Sequence, residues 1–212
     1  MNLKFFKTKL LVVIFLFTII ACSQKPKPVN LTSAEKAEWN AYFTLFSEIF
    51  TAPFQQDSIS DKDLIHFGVF YNLRYHYKLF QPIDENKSTI RQDQVADTAM
   101  KYFGKKINVH QNIPDVEYNN KLYIIQLADG EAFPFSQIES LVDNGNGIFV
   151  ATLNIFTASS GWTGDINANP DIWKKNNQGE DVPQFSGKMI ATIKKSDDKA
   201  GNKYILIAYK KL

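Results

Sequence analysis

Cysteine is almost missing from this chain: Cys22 is the single thiol in 212 residues. One thiol closes no intramolecular disulfide and builds no cysteine-ligated zinc site. Histidine is nearly as scarce, with three residues. His66 and His76 fall ten residues apart on one predicted helix, ~15 Å along its axis and roughly 80° around it, so they cannot share a metal ion. His110 stands alone in "INVHQNIP". A histidine zinc site needs ligands at close spacing such as H-x-x-x-H, and the sequence has none. No P-loop, G-x-G-x-x-G or G-x-S-x-G motif occurs either. "SAEK" at Ser33–Lys36 matches S-x-x-K, but the S-D-N and K-T-G partners of that chemistry are absent. No metal ion and no cofactor is implied.

Charge of one sign is also lacking. The chain has 24 basic and 22 acidic residues. Three of the basic ones, Lys4, Lys7 and Lys9, precede Cys22, so 21 basic residues face 22 acidic ones beyond it. With no basic excess to neutralise phosphates, a nucleic-acid partner is disfavoured.

A long apolar run is the next thing missing. Leu10 to Ala21 is the greasiest stretch, about half of the roughly 20 residues a spanning helix needs. It follows the three lysines and ends on a small residue, which is the layout of a secretory signal peptide. The tetrad Ile19-Ile20-Ala21-Cys22 resembles the lipobox of bacterial lipoproteins, with Ile19 where leucine is usual. The resemblance implies that residues 1–21 are a signal peptide cut before Cys22. It further implies that the Cys22 sulfur carries a diacylglycerol and that the new amino group is acylated, for example by palmitate. Each buried methylene contributes about 0.8 kcal/mol, so two or more chains make a lasting anchor. Under the lipoprotein sorting rule, Ser23 rather than Asp points to the periplasmic side of the outer membrane in a Gram-negative envelope. Residues 22–31, with "SQKPKPVN", read as the lipidated cysteine and an extended tether. Residues 32–212 suffice for one domain with its own core.

Aromatic residues are what the chain has in quantity: 17 Phe, nine Tyr and three Trp. Thr32 followed by Glu35, and Ser60 followed by Asp63, are capping-box signatures. They predict helices running on to Pro53 and to about Leu79. A third helix is predicted from about Thr89 to Phe103, with Gly104 as its left-handed cap. After Pro114 the apolar period switches to two. "EYNNKLYIIQLAD" reads as a short hairpin. "DNGNG" joins two longer strands, and "SDDKAGN" joins the last pair. The predicted class is α+β, three N-terminal helices packed on a curled antiparallel sheet of about five strands. This element order resembles that of NTF2-like and cystatin-like cones. The last strand is apolar on both faces, Ile205, Ile207 and Tyr209 on one and Tyr204, Leu206 and Ala208 on the other. Something must therefore cover the second face: the third helix, the long loop, a ligand or a second copy.

Two places invite a function. The connection from Ser159 to Gln184 is long for a compact domain and holds Trp162 and Trp173. Indoles in such a segment either pin it to the domain or meet a partner, and pinning is the better expectation. Asp165-x-Asn167-x-Asn169 has the oxygen spacing of a calcium loop, yet Pro170 stands where an EF-hand needs glycine and Asn176 where it needs glutamate. The second place is "YNLRYHYKLF", whose Tyr71, Tyr75 and Tyr77 cannot all face one side of a helix. Tyr75, Tyr77, Trp162 and Trp173 are thus the candidate ligand- or partner-binding residues, and no catalytic residue is assigned. The leading expectation is a lipid-anchored envelope protein that binds another envelope protein or a small apolar ligand without chemistry. A hydrolase or envelope-remodelling enzyme drawing on His66, His76, Asp165 and Asp171 is one alternative. An inhibitor or immunity-like protein acting through residues 159–184 is the other.

Overall fold

The computed structural model describes residues 25–55, 58–127, 132–176, 181–196 and 202–212. Cys22 and the segment before it lie outside the described residues. So does part of the turn between the last two strands. The described chain is α+β, with four α-helices and two antiparallel sheets that do not close.

Both capping boxes form. In α1 (Ser33–Glu48) the Glu35 amide donates to Thr32 Oγ1 and the Thr32 amide to the Glu35 carboxylate. In α2 (Asp61–Tyr75) Ser60 and Asp63 do the same. Both helices stop short of expectation. The chain leaves α1 at Ile49, and α2 gives way at His76 to a 3-10 turn over Tyr77–Leu79. The predicted third helix is corrected more sharply. Thr89 lies in a strand, and α3 begins at Gln92 and ends at Phe103. The β-branched residues in "KSTIR" fit a pleated, half-buried surface better than a helical turn. Gly104 does cap α3 in the left-handed conformation, φ +63°.

The single sheet expected from the period-two segments is two sheets. In the larger, β1 (Lys27–Pro28), β6 (Phe133–Asp143), β7 (Ile148–Ala158), β8 (Gln184–Lys195) and β9 (Tyr204–Lys211) lie in the order β1-β6-β7-β8-β9. The smaller has the order β2-β3-β5-β4, from β2 (Gln81–Pro82), β3 (Lys87–Arg91), β4 (Val116–Asn119) and β5 (Leu122–Gln126). The predicted short hairpin is β4–β5, turned at Asn120 and Lys121, both at positive φ. It pairs with β3 rather than with the long strands. A fourth helix, α4 (Pro170–Asn176), occupies the long connection. Pro170 suits the first helical position, and Asn169 Oδ1 accepts from the Asp171 amide as its cap.

Register shifts interrupt the ladders at Glu139, between β7 and β8 near Gly187, and at Ile207. Each such bulge bends its strand and adds twist, which curls the sheet. The concave face carries Leu153, Ala191, Ile193, Leu206 and Tyr209 into the core, which Phe43 shares and where Phe46 of α1 meets Phe67 of α2 and Phe103 of α3.

The outer edge of β6 is managed by α1. Thr44 Oγ1 accepts from the Ser136 amide at 3.1 Å, and Asn40 Oδ1 accepts from the Ile138 amide at 2.7 Å. Two edge groups that could template another strand are thereby occupied. Farther along, the Val29 amide donates to the Leu141 carbonyl, and Lys27–Pro28 pairs with Val142 and Asp143. Of the expected tether, Lys27–Pro28 is a strand held by the sheet. Asn40 also donates to Asn167 Oδ1 at 2.9 Å, so one buried amide joins helix, sheet and loop. Asn40→Ala is expected to lose about 2 kcal/mol by leaving the Ile138 donor unmet. Asn167→Ala, at an exposed partner, is expected to lose about 0.5–1 kcal/mol. Urea denaturation of both variants checks the ranking.

Candidate functional site

The exposed aromatic residues gather where α2 ends. Because α2 stops at Tyr75, the next eight residues run over the surface. Tyr75, Tyr77, Leu79 and Ile83 point outward, Tyr77 with 55% of its surface exposed, whereas Phe80 turns inward, with its ring stacked 6.2 Å from Tyr77. Beneath this strip, Arg74 Nε meets Glu48 Oε1 at 2.5 Å and the Tyr75 hydroxyl donates to Glu48 Oε2. The Glu48 side chain is largely buried, and the Arg74 guanidinium also faces the Phe133 ring. Burial first, and then the Glu48 carboxylate it donates to, hold the Tyr75 phenol well above its ordinary pKa. Tyr75 thus stays neutral at physiological pH, with its hydroxyl engaged by Glu48. Behind it, Tyr71 packs 5.1 Å from Tyr75 and accepts a 2.5 Å bond from the Tyr102 hydroxyl.

Phe50 belongs to the same end of α1, two residues past Glu48. It is 56% exposed and held at φ +52°, a region uncommon for any residue other than glycine and uncommon for bulky side chains above all. The Phe50 amide donates to the Ser47 carbonyl and the Thr51 amide to the Phe46 carbonyl, so this left-handed residue closes the end of α1 as a Schellman cap and leaves its ring exposed. Sequence reading reached Tyr75 and Tyr77 but missed Glu48, Arg74, Leu79, Ile83 and Phe50. Residues 77–79 read as helix until the break at His76 is seen, and no sequence signal marks the left-handed Phe50.

The two tryptophans are packed against the domain. Trp173 is 3% exposed, donates its indole N–H to the Asp165 carbonyl at 2.8 Å, and meets Phe135, Phe156 and Trp162 edge-on. Trp162 lies parallel to Phe135 at 5.3 Å. Gly164 lies so close to it that a Cβ there would come within 2.4 Å of the indole. Together with Ile166, Ala168 and Val182 they form a second small core. Gln137 fastens the loop to β6 through the Ile166 and Ala168 carbonyls. The calcium-like oxygens are engaged within the protein. Asp165 Oδ1 accepts from Asn167, Asn167 Oδ1 accepts from Asn40, and Asn169 caps α4.

The residues of the hydrolase alternative lie in separate surroundings. His66 packs on Phe70, with burial lowering its pKa against the opposing pull of Asp63 and Asp115. His76 lies by Tyr71, Asp171 by Lys174, and Asp165 in the loop just described. His110 Nδ1 is 2.6 Å from the Tyr123 hydroxyl, and burial lowers its pKa too. Asp61, whose charge opposes that shift, spends both carboxylate oxygens on the Asn108 and Val109 amides. Among the described residues, no three His, Cys, Asp or Glu side chains could hold a metal ion. Nor is any helix there long and apolar enough to cross a membrane.

A cleft of about 250 Å³ opens along the outer edge of β9, between that strand, the end of α3 and the segment bearing Phe54. A shallower depression of about 400 Å³ borders β1 and the Glu139 bulge. No protein-family model matches the chain, and no curated protein and no solved structure is detectably similar to it.

Proposed function

We propose that this chain is a lipid-anchored cell-envelope lipoprotein whose domain binds without chemistry of its own, and that its primary ligand is another envelope protein met at the end of α2. The observation that carries this reading is the run of exposed apolar side chains, Tyr75, Tyr77, Leu79 and Ile83, where α2 ends. Aromatic side chains supply large contact areas at low entropic cost, and such clusters are where binding energy concentrates. The Glu48–Arg74–Tyr75 network fixes Tyr75 in place before any partner arrives, which reduces the ordering cost of association. The lipobox resemblance at Ile19–Cys22 supplies the anchor. The finer fold assignment, an NTF2-like or cystatin-like cone, is supported by α1 lying in the curl of a long-stranded sheet with α2 and α3 behind it. A second reading, a small apolar ligand, is favoured by the cleft at β9.

Two measurements test the proposal. Labelling with an alkyne fatty acid should mark the wild-type protein, while Cys22→Ala loses both the label and the membrane fraction; an equally labelled Cys22→Ala would overturn the anchor. A photo-crosslinker at position 79 should trap one defined envelope protein. Tyr77→Ala with Ile83→Ala, both exposed and expected to keep the fold within about 0.5 kcal/mol, should reduce that adduct at least about tenfold, as loss of a binding hot spot does. Unchanged crosslinking would remove this surface from consideration.

A further inference from the structure

Tyrosine suits the interface of a lipid bilayer as well as a protein surface, so what the strip at the end of α2 meets depends on which end of the domain the anchor holds. The chain enters the fold at β1, where Lys27 and Pro28 pair with Asp143 and Val142 at the last residues of β6. Because β1 runs antiparallel to β6, the chain before Lys27 leaves past Asp143, beside the turn to β7. The end of α2 lies at the opposite end of the same strand. There the Arg74 guanidinium faces the ring of Phe133, the first residue of β6, and meets Glu48. Tyr75 follows directly and donates to Glu48 as well. β6 thus measures the separation: its 11 residues span roughly 30 Å at about 3.3 Å each. Five residue steps separate Cys22 from Lys27, and they reach at most about 18 Å in any conformation. The leash is shorter than the strand. Surface chemistry divides the same way. The 144–147 turn is Asn-Gly-Asn-Gly, with both asparagines exposed. Of the large apolar side chains exposed among the described residues, none belongs to β1, α1, β6 or β7.

We propose that the domain stands end-on over the membrane, with the 144–147 turn toward the lipid head groups and the strip over 75–83 held roughly 30 Å farther out. The leash keeps the Asp143 end near the lipid and leaves the Phe133 end free. Lying flat along α1, β6 and β7 would set against the bilayer three elements that expose no large apolar side chain, and burial of apolar surface is what holds a protein face in the interface. The inference rests on the anchor at Cys22 proposed above and deepens the protein-partner reading. It makes the strip a protein-binding surface and not a lipid-binding one. It also defines the partner, whose binding segment is a soluble or projecting region clear of the bilayer and not a membrane-embedded one.

The test uses the lipidated protein reconstituted into phosphatidylcholine vesicles that carry nitroxide on their head groups. Once Cys22 bears its lipid, an introduced cysteine is the single free thiol. Asn144→Cys, Ser160→Cys and Leu79→Cys, all at exposed positions, each receive a fluorophore there. Ser160 lies two residues past Ala158, the partner of Phe133 in the sheet, so it marks the far end independently of the strip. The label at position 144 should lose most of its emission relative to vesicles without nitroxide. Those at 160 and 79 should keep theirs, because nitroxide quenches only at short range. Quenching at 79 as deep as at 144 would overturn the upright posture and leave the anchor standing. Full emission at 144 in protein that floats with the vesicles would overturn it as well. Protein that does not float with them would remove the anchor, and the posture with it.

Discussion

Gly68→Ala is expected to destabilise the domain by about 2 kcal/mol net, although alanine is the better helix former. Gly68 faces α3 from the middle of α2. A Cβ there would stand 2.7 Å from both Val95 Cγ1 and the Val95 carbonyl oxygen. The side-chain contact can relax by rotation, but the carbonyl belongs to the α3 backbone and yields only if the helices part. Overpacking of this kind costs about 1–3 kcal/mol, sometimes more, and the propensity gain of about 1 kcal/mol offsets only part of a loss at the upper end. Parting the helices also strains Asn72. Its amide nitrogen donates to Gly68 O and to Thr98 Oγ1, each at 2.8 Å. Val95→Ala in the same chain should restore less than half of the loss, since the carbonyl remains. Gly161→Ala, with nothing within 4 Å of its Cβ, should be neutral within about 0.5 kcal/mol. Thermal denaturation of the three variants checks the order. A neutral Gly68→Ala would mean that α2 and α3 are not packed this closely.

What the sequence disclosed about this fold is what local chemistry controls. Thr32–Glu35, Ser60–Asp63 and Gly104 are side-chain or backbone devices acting within four residues, and each stands where its pattern placed it. The turn at Asn144–Gly147 belongs with them, with Gly145, Asn146 and Gly147 all at positive φ. The failures are tertiary. Lys87–Arg91 reads as the start of a helix until β5 is there to pair with it, and the β4–β5 hairpin carries no local mark of which sheet it joins. Partition into two sheets depends on residues more than 30 positions apart, and period alone cannot express that.

The candidate surfaces divide in the same way. Tyr75 and Tyr77 were legible because three tyrosines within seven residues exceed what one helical face can hide. Their support was not, since Glu48 reaches Arg74 and Tyr75 across 26 and 27 positions. The cleft was legible only as a question, why β9 is apolar on both faces. Part of the reply is packing against α3, and part is the row Ile148, Lys194 and Ile205 left at the cleft.

Trp173→Ala is expected to have the largest effect of any single truncation in the long connection, about 3–4 kcal/mol and on the order of 10 °C in midpoint for a domain of this size. The indole fills the middle of the second core and makes edge contacts with three rings. Alanine would leave a cavity lined by Phe135, Phe156 and Trp162. Phenylalanine substitutions separate packing from hydrogen bonding at the two indoles. Trp173→Phe strands the Asp165 carbonyl and should cost about 1–2 kcal/mol. Trp162→Phe removes a buried indole N–H that has no hydrogen-bond partner among the described residues. It should therefore cost little more than the smaller ring, within about 1 kcal/mol. Limited proteolysis should then cut Trp173→Ala between residues 159 and 184 under conditions that spare wild type, because the segment held by that core would open first. If Trp173 instead served a partner and carried no packing, the variant would melt with wild type and resist the protease. The inhibitor-like alternative would then regain its basis. Loss of stability with early cleavage assigns the tryptophans to the scaffold and leaves recognition to the far ends of α1 and α2.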